Sequence, residues 1–212
     1  GDADGSKVTS GGIAKHLPAG RKVITKLSGT GEITDLVNES NISTSMLSGL
    51  LPSTMTLTSA DRTEILQWAQ GLDPTATDPL TTARGSMADP LHGNPILVTY
   101  KEGDTLTDVL FSGNNAGYLQ AINPDENTPG EYWAYIPKEL LPNLAVYQKG
   151  ISKYLKVYGL DGPLSLSHLD TNANRVIESG ETAYLAAGMR RGGSSYYLLD
   201  ISKKAAPKLV SQ

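Results

Sequence analysis

A chain of 212 residues, 39% hydrophobic and 19% charged, is long enough to bury a sizeable core and too apolar for wholesale disorder. Its net charge of -4 offers no electrostatic footing for nucleic acid or anionic lipid as the main partner. With no cysteine it cannot build disulfides, thiolate metal sites or cysteine nucleophiles. No run approaches the roughly 20 apolar residues that a membrane-spanning helix needs, so no membrane span is expected in this piece.

The opening "GDADGSKVTSGG" has neither the basic start nor the apolar core of a signal peptide. The expectation is a cytoplasmic protein, or a mature or excised part of an exported one. The 22 glycines and 12 prolines cut the rest into short segments, which favours many strands and turns. "RKVITKL" (21–27) alternates as a strand does, and irregular chain follows it. "TSADRTEILQWAQG" predicts a helix, with Thr58 as N-cap, Asp61 three residues on and Gly71 at the left-handed position past its end. Ile65, Leu66, Trp68 and Ala69 would face a core. The run "LDPTATDPLTTARGSMADPLHGNP" then reads as a structured surface loop.

From residue 95 the texture is that of strands: "PILVTY", a turn at "EGD", "TDVLFSG", the turn "NNA", "GYLQAIN" and "YWAYI". "PKELLPNLAVYQKG" is a short helical connection with Pro137 at its first turn. A second set follows: "LDGPLSLSHL", "TAYLAAGM", the tight turn "RRGG" and "SSYYLLDIS". In both sets an apolar strand ends in glycine, Gly113 or Gly188, and after a polar turn a strand ends in Asn123 or Asp200. Such repetition suggests blades of a β-propeller; two unrelated Gly-turn hairpins would give the same pattern.

Within the second set lies "DTNANRVIESGE" (170–181). A twelve-residue calcium loop supplies oxygens from positions 1, 3, 5, 7 (a carbonyl), 9 and 12. Those positions hold Asp170, Asn172, Asn174, Val176, Glu178 and Glu181. Ile177 would anchor the loop to a core. Arg175 stands where glycine normally makes the sharp turn, so it must take an unfavourable φ or the turn must differ. A solvated polar turn is the alternative on spacing alone, and either Glu178 or Glu181 could complete a calcium shell. A degraded version of the pattern, Asp2, Asp4, Ser6, the Val8 carbonyl and Ser10, marks a weaker second candidate. His16, His92 and His168 are isolated and read as structural, His92 bracing its loop. Neither a G-x-S-x-G elbow nor a phosphate-binding loop occurs, so no catalytic constellation is expected.

Five segments in one order carry a family resemblance: "MADPLHGNPILVTY", "VLFSGNNAGYLQAI", "EYWAYIPKELLPNL", "YGLDGPLSLSHLDTN" and "YLAAGMRRGGSSYYLLDIS". Together they resemble the C-terminal domain of type IV pilus biogenesis and adhesin proteins of the PilC/PilY kind. The resemblance covers most of residues 60–202. It implies a mainly β chain, part of a modified quinoprotein-like β-propeller. About two blades would occupy 86–212, after a strand, loop and helix region over 1–85. It implies calcium at loop 170–181, no enzymatic activity, and an exported, pilus-associated protein of the cell surface, outer membrane or periplasm. Implied partners are minor pilins and a host or abiotic surface, and implied roles are attachment, twitching motility and control of pilus extension and retraction. The rival reading is a fragment of a quinoprotein-like dehydrogenase, which needs a full ring of blades and a central acidic base.

Overall fold

The structure is a computed structural model and describes residues 12–212. A short helix, α1 (Gly12–His16), leads to β1 (Val23–Thr25), whose three β-branched residues are all buried. Two short strands, β2 (Gly31–Glu32) and β3 (Asp35–Leu36), and a single helical turn, α2 (Thr44–Leu47), follow. Helix α3 (Ser59–Ala69) forms where its signals predict. The Thr58 hydroxyl accepts from the Asp61 N–H while the Asp61 carboxylate accepts from the Thr58 N–H, so two otherwise orphaned donors are satisfied. Gly71, at φ 81°, ends the helix, and Ile65, Leu66 and Ala69 are buried with Trp68 packed against the same core.

The strands β4 (Ile96–Glu102), β5 (Thr105–Gly113), β6 (Leu119–Asn123) and β7 (Gly130–Tyr135) form an antiparallel meander. A 3₁₀ turn after Pro137 and helix α4 (Leu141–Gln148) follow, and α4 packs on α3 and α2. A second meander joins β8 (Leu164–Leu169), β10 (Thr182–Gly188), β11 (Tyr196–Asp200) and β12 (Lys208–Ser211), with the two-residue β9 (Val176–Ile177) between β8 and β10. The protein is therefore mainly β, as two sheets ordered β3-β1-β7-β6-β5-β4-β9 and β2-β12-β11-β10-β8.

Strand pairing crosses the boundary expected at residue 85. Strand β1 lies parallel to β7, with Val23 opposite Ala134, while β2 pairs with β12 across the other sheet. The last strand of each meander, β7 or β12, is thus covered by the N-terminal segment, and Val23 and Ile24 share one core cluster with Tyr135 and Leu209. The physical reason is simple: three β-branched residues cannot satisfy their backbone alone, and β7 offers an unpaired edge.

The two sheets meet along the segment 159–162, which runs between the glycine-ended strands. The Leu160 N–H donates to the Asn114 carbonyl and the Gly162 N–H to the Gly188 carbonyl. A Cβ on Gly113 would stand 2.6 Å from the Leu160 carbonyl oxygen, and one on Gly162 would stand 2.6 Å from that of Gly188. Gly113 and Gly162 therefore mark where the crossing backbone approaches too closely for a side chain, whereas a Cβ on Gly188 would meet the Tyr196 ring, 3.0 Å away.

Candidate metal site in the loop between β8 and β10

Strand β8 ends at Leu169 and β10 begins at Thr182, so the loop 170–181 is the whole link between them. Halfway along, β9 leaves the second sheet and pairs parallel with β4 of the first, Val176 opposite Thr99 and Ile177 opposite Tyr100. Ile177 is 2% exposed within the core cluster, as an anchoring residue must be. The segment before it stands in solvent, and the segment after it turns back through Gly180, at φ 91°, into β10.

The three early polar side chains curl onto the loop's own backbone. Asp170 Oδ2 accepts from the Arg175 N–H at 2.7 Å and Oδ1 from the Asn174 N–H at 3.2 Å. Asn172 Oδ1 accepts from the Asn174 N–H at 3.1 Å, and Asn174 Oδ1 from the Val176 N–H at 2.8 Å. This winding needs two left-handed residues, Ala173 at φ 60° and Arg175 at φ 63°. Arg175 thus takes the conformation that glycine would supply, at a cost of roughly 1–2 kcal/mol. Hydrogen bonding from the Arg175 N–H, above all, holds the Asp170 carboxyl below the ordinary carboxylate range.

The two glutamates have different tasks. Glu178 lies over the asparagine amides: Oε2 accepts from Asn172 Nδ2 at 3.0 Å, and Oε1 from Asn174 Nδ2 at 3.4 Å and Lys101 Nζ at 3.1 Å. Glu181 is buried and fully committed. Its Oε1 accepts from the Thr171 N–H and hydroxyl, each at 2.8 Å, and its Oε2 from His168 Nε2 at 3.0 Å and the Glu178 N–H at 3.1 Å. Those donors, the Thr171 N–H first, hold the Glu181 carboxyl down to about 2. Glu181 fastens the two ends of the loop, whereas Glu178 faces the Asn172 and Asn174 amide nitrogens and Lys101.

Among the described residues, no three His, Cys, Asp or Glu side chains group closely enough to hold a metal by themselves. The candidate set differs in kind: the Asp170 and Glu178 carboxylates, the amides of Asn172 and Asn174, and the Val176 carbonyl. All are hard oxygen donors, the chemistry calcium selects. The two amides turn their nitrogens toward Glu178, and an amide's oxygen and nitrogen ends are almost the same size. A half-turn of each would bring three acceptor groups together, an arrangement only a cation makes favourable. The same half-turn releases the bonds to the Asn174 and Val176 N–H groups. Cation binding here would reorganise the loop, not fill a finished cage.

The remaining sequence candidates are dispersed. The weaker loop at Asp2, Asp4, Ser6, Val8 and Ser10 lies outside the described residues. His92 braces its loop by placing Nδ1 2.9 Å from both oxygens of the buried Asp161 carboxylate. His168 serves Glu181, and His16 is exposed at the end of α1. "RRGG" is a 3₁₀ turn with the Arg191 guanidinium against the Tyr158 ring, 5.5 Å from its centroid. Lys101 and Thr171 escape a sequence reading, because nothing local ties Lys101 to a loop reached by parallel pairing. Comparison with protein-family models, with curated proteins and with solved structures gave no match. No described helix is long and apolar enough to cross a membrane.

Proposed function

We propose that loop 170–181 is a calcium site in a non-enzymatic, pilus-associated adhesin or biogenesis factor of the PilC/PilY kind. The observation that carries the calcium reading is the convergence of Asp170, Asn172, Asn174 and Glu178 on a loop wound through two left-handed residues. Asp170, Asn172 and Asn174 would hold the ion by side chains, Val176 by its carbonyl and Glu178 by its carboxylate; Glu181 stays with Thr171 and His168. Calcium bound there would supply the divalent charge that lets these acceptors share one point.

The strand pairing supports a structural role for such a site. Because β9 joins the loop to β4, ordering the loop also fastens the second sheet to the first. A ligand that binds only the folded state stabilises it by about 2.7 kcal/mol at a hundredfold excess over Kd. We read the two four-stranded meanders as two blades of a quinoprotein-like propeller. The exported location, the minor-pilin and surface partners, and the roles in attachment, twitching and pilus extension and retraction rest on the five resembling segments.

Calorimetry on chelator-treated protein tests the site. Calcium should give a saturable signal at one site, magnesium a much weaker one, and Asp170→Ala and Glu178→Gln should each abolish or severely weaken binding. Glu181→Gln should retain it. No heat for the native chain at millimolar calcium, a concentration typical of weak extracellular sites, sinks the metal reading. Pull-down of minor pilins by the calcium-loaded chain, but not by Asp170→Ala, tests the pilus role.

A further inference from the structure

The residue that faces Glu178 from the other sheet is a lysine, and its place is set by the backbone. Parallel pairing of Thr99 with Val176 and Tyr100 with Ile177 puts Lys101 beside Glu178 at the next step of the ladder. Tyr100 and Ile177 are buried, so their successors point the opposite way, toward solvent and toward each other. Lys101 Nζ comes to 3.1 Å from Glu178 Oε1, with both side chains partly exposed. It shares that carboxylate with Asn172 Nδ2 and Asn174 Nδ2. Three donors, one of them a full positive charge, therefore occupy the Glu178 carboxylate.

We propose that Lys101 is an internal competitor of the metal: a tethered cation that occupies the carboxylate of Glu178 and sets the loop's calcium affinity. The inference rests on the calcium reading of loop 170–181. A divalent ion and an ammonium cannot both take the same carboxylate oxygen, and a unit charge a few ångströms from a divalent ion repels it. Loading the loop then requires Lys101 to withdraw. The side chain has room to do so, for Lys101 also lines a cleft of about 430 Å³ bounded by Gly103, Ser179, Ser202, Lys203 and Lys204. Besides Glu178 the cleft is lined by two carboxylates, and both have partners: Glu102 is paired with Lys204 at 2.9 Å, and Glu181 is held by Thr171 and His168. The device therefore makes the site weaker and more selective for a divalent ion than its oxygen count alone would give. It also ties loop occupancy to a residue of the other sheet.

The test is calorimetry with calcium alone on chelator-treated full chain, comparing the native protein with Lys101→Met, Lys101→Arg and, as a control for a second lysine of the same cleft, Lys203→Met. Lys101→Met should tighten calcium binding on the order of tenfold, while Lys101→Arg keeps near-native affinity because the charge remains. Melting in excess chelator supplies a second readout. Lys101→Met should melt slightly lower than the native chain without calcium and higher with it, a crossover that simple loss of packing would not produce. Unchanged or weaker binding by Lys101→Met overturns the competitor role and leaves the calcium site standing. Equal tightening by Lys203→Met overturns it too, because the effect would then be general surface charge. No binding by any of the four proteins overturns the calcium reading itself, and the competitor with it.

Discussion

The two meanders join their first strand to their second in opposite ways. Between β4 and β5 the link is Gly103 and Asp104, with Glu102 paired directly to Thr105 and Gly103 at φ 63°. Between β8 and β10 it is the loop 170–181, yet Leu169 pairs with Thr182 as if the loop were not there. Antiparallel pairing therefore requires almost none of the longer link, since a two-residue turn does the same work. The extra chain makes β9, which crosses to the other sheet, and a set of oxygen-bearing side chains wound onto a backbone with two left-handed residues. Length beyond what a hairpin needs points to a second task.

Removing the anchor is the strongest way to break this contrast. Ile177→Ala should cost about 2–5 kcal/mol in urea unfolding, through lost burial and a cavity where β9 meets the core. Next comes the fastening of the loop's ends. Because the Glu181 carboxyl is held down to about 2, its contribution is present above the unfolded value near 4.3. That contribution fades as pH falls toward the folded value. Glu181→Gln should therefore be less stable than the native chain at neutral pH, and urea titrations at successively lower pH should show the gap closing across that window. A gap that stays constant down to the lower limit would refute the assignment of Glu181 as the buried clasp.

A smaller effect, of opposite sign, is expected at Arg175. Glycine there relieves the left-handed strain but gains freedom in the unfolded chain, so Arg175→Gly should stabilise by up to about 1 kcal/mol. Thermal melting in chelator measures it, and a destabilisation would mean that the arginine side chain holds the turn. The weakest change should fall in the short link. Asp104→Ala should stay within about 0.5 kcal/mol of the native chain and leave calcium binding untouched.

Much of the fold is legible along the chain because it depends on neighbours in sequence. The capping box at Thr58 and Asp61, the C-terminal Gly71, and the long strands on either side of the Asn114–Asn115–Ala116 turn are all local signals. Strands β2, β3, β9 and β12 are not legible, since each is too short or too irregular to show a period, and β2 and β9 form only against distant edges, β12 and β4. For the same reason the division at residue 85 is invisible in the pairing, where β1 and β2 serve one sheet each.

The candidate site divides along the same line. Asp170, Asn172 and Asn174 at alternate positions determine by themselves that oxygen donors cluster, because side chains two apart on a tight loop can turn onto the same backbone groups. Sequence alone also identifies Arg175 as the residue that must bear the turn. Only the tertiary structure separates Glu178 from Glu181, which are equivalent acids in the pattern. The second is buried by donors from Thr171 and His168, and the first is left facing Lys101. That difference depends on which strand lies beside β9, and pairing between segments so far apart is decided by the packing of the whole core.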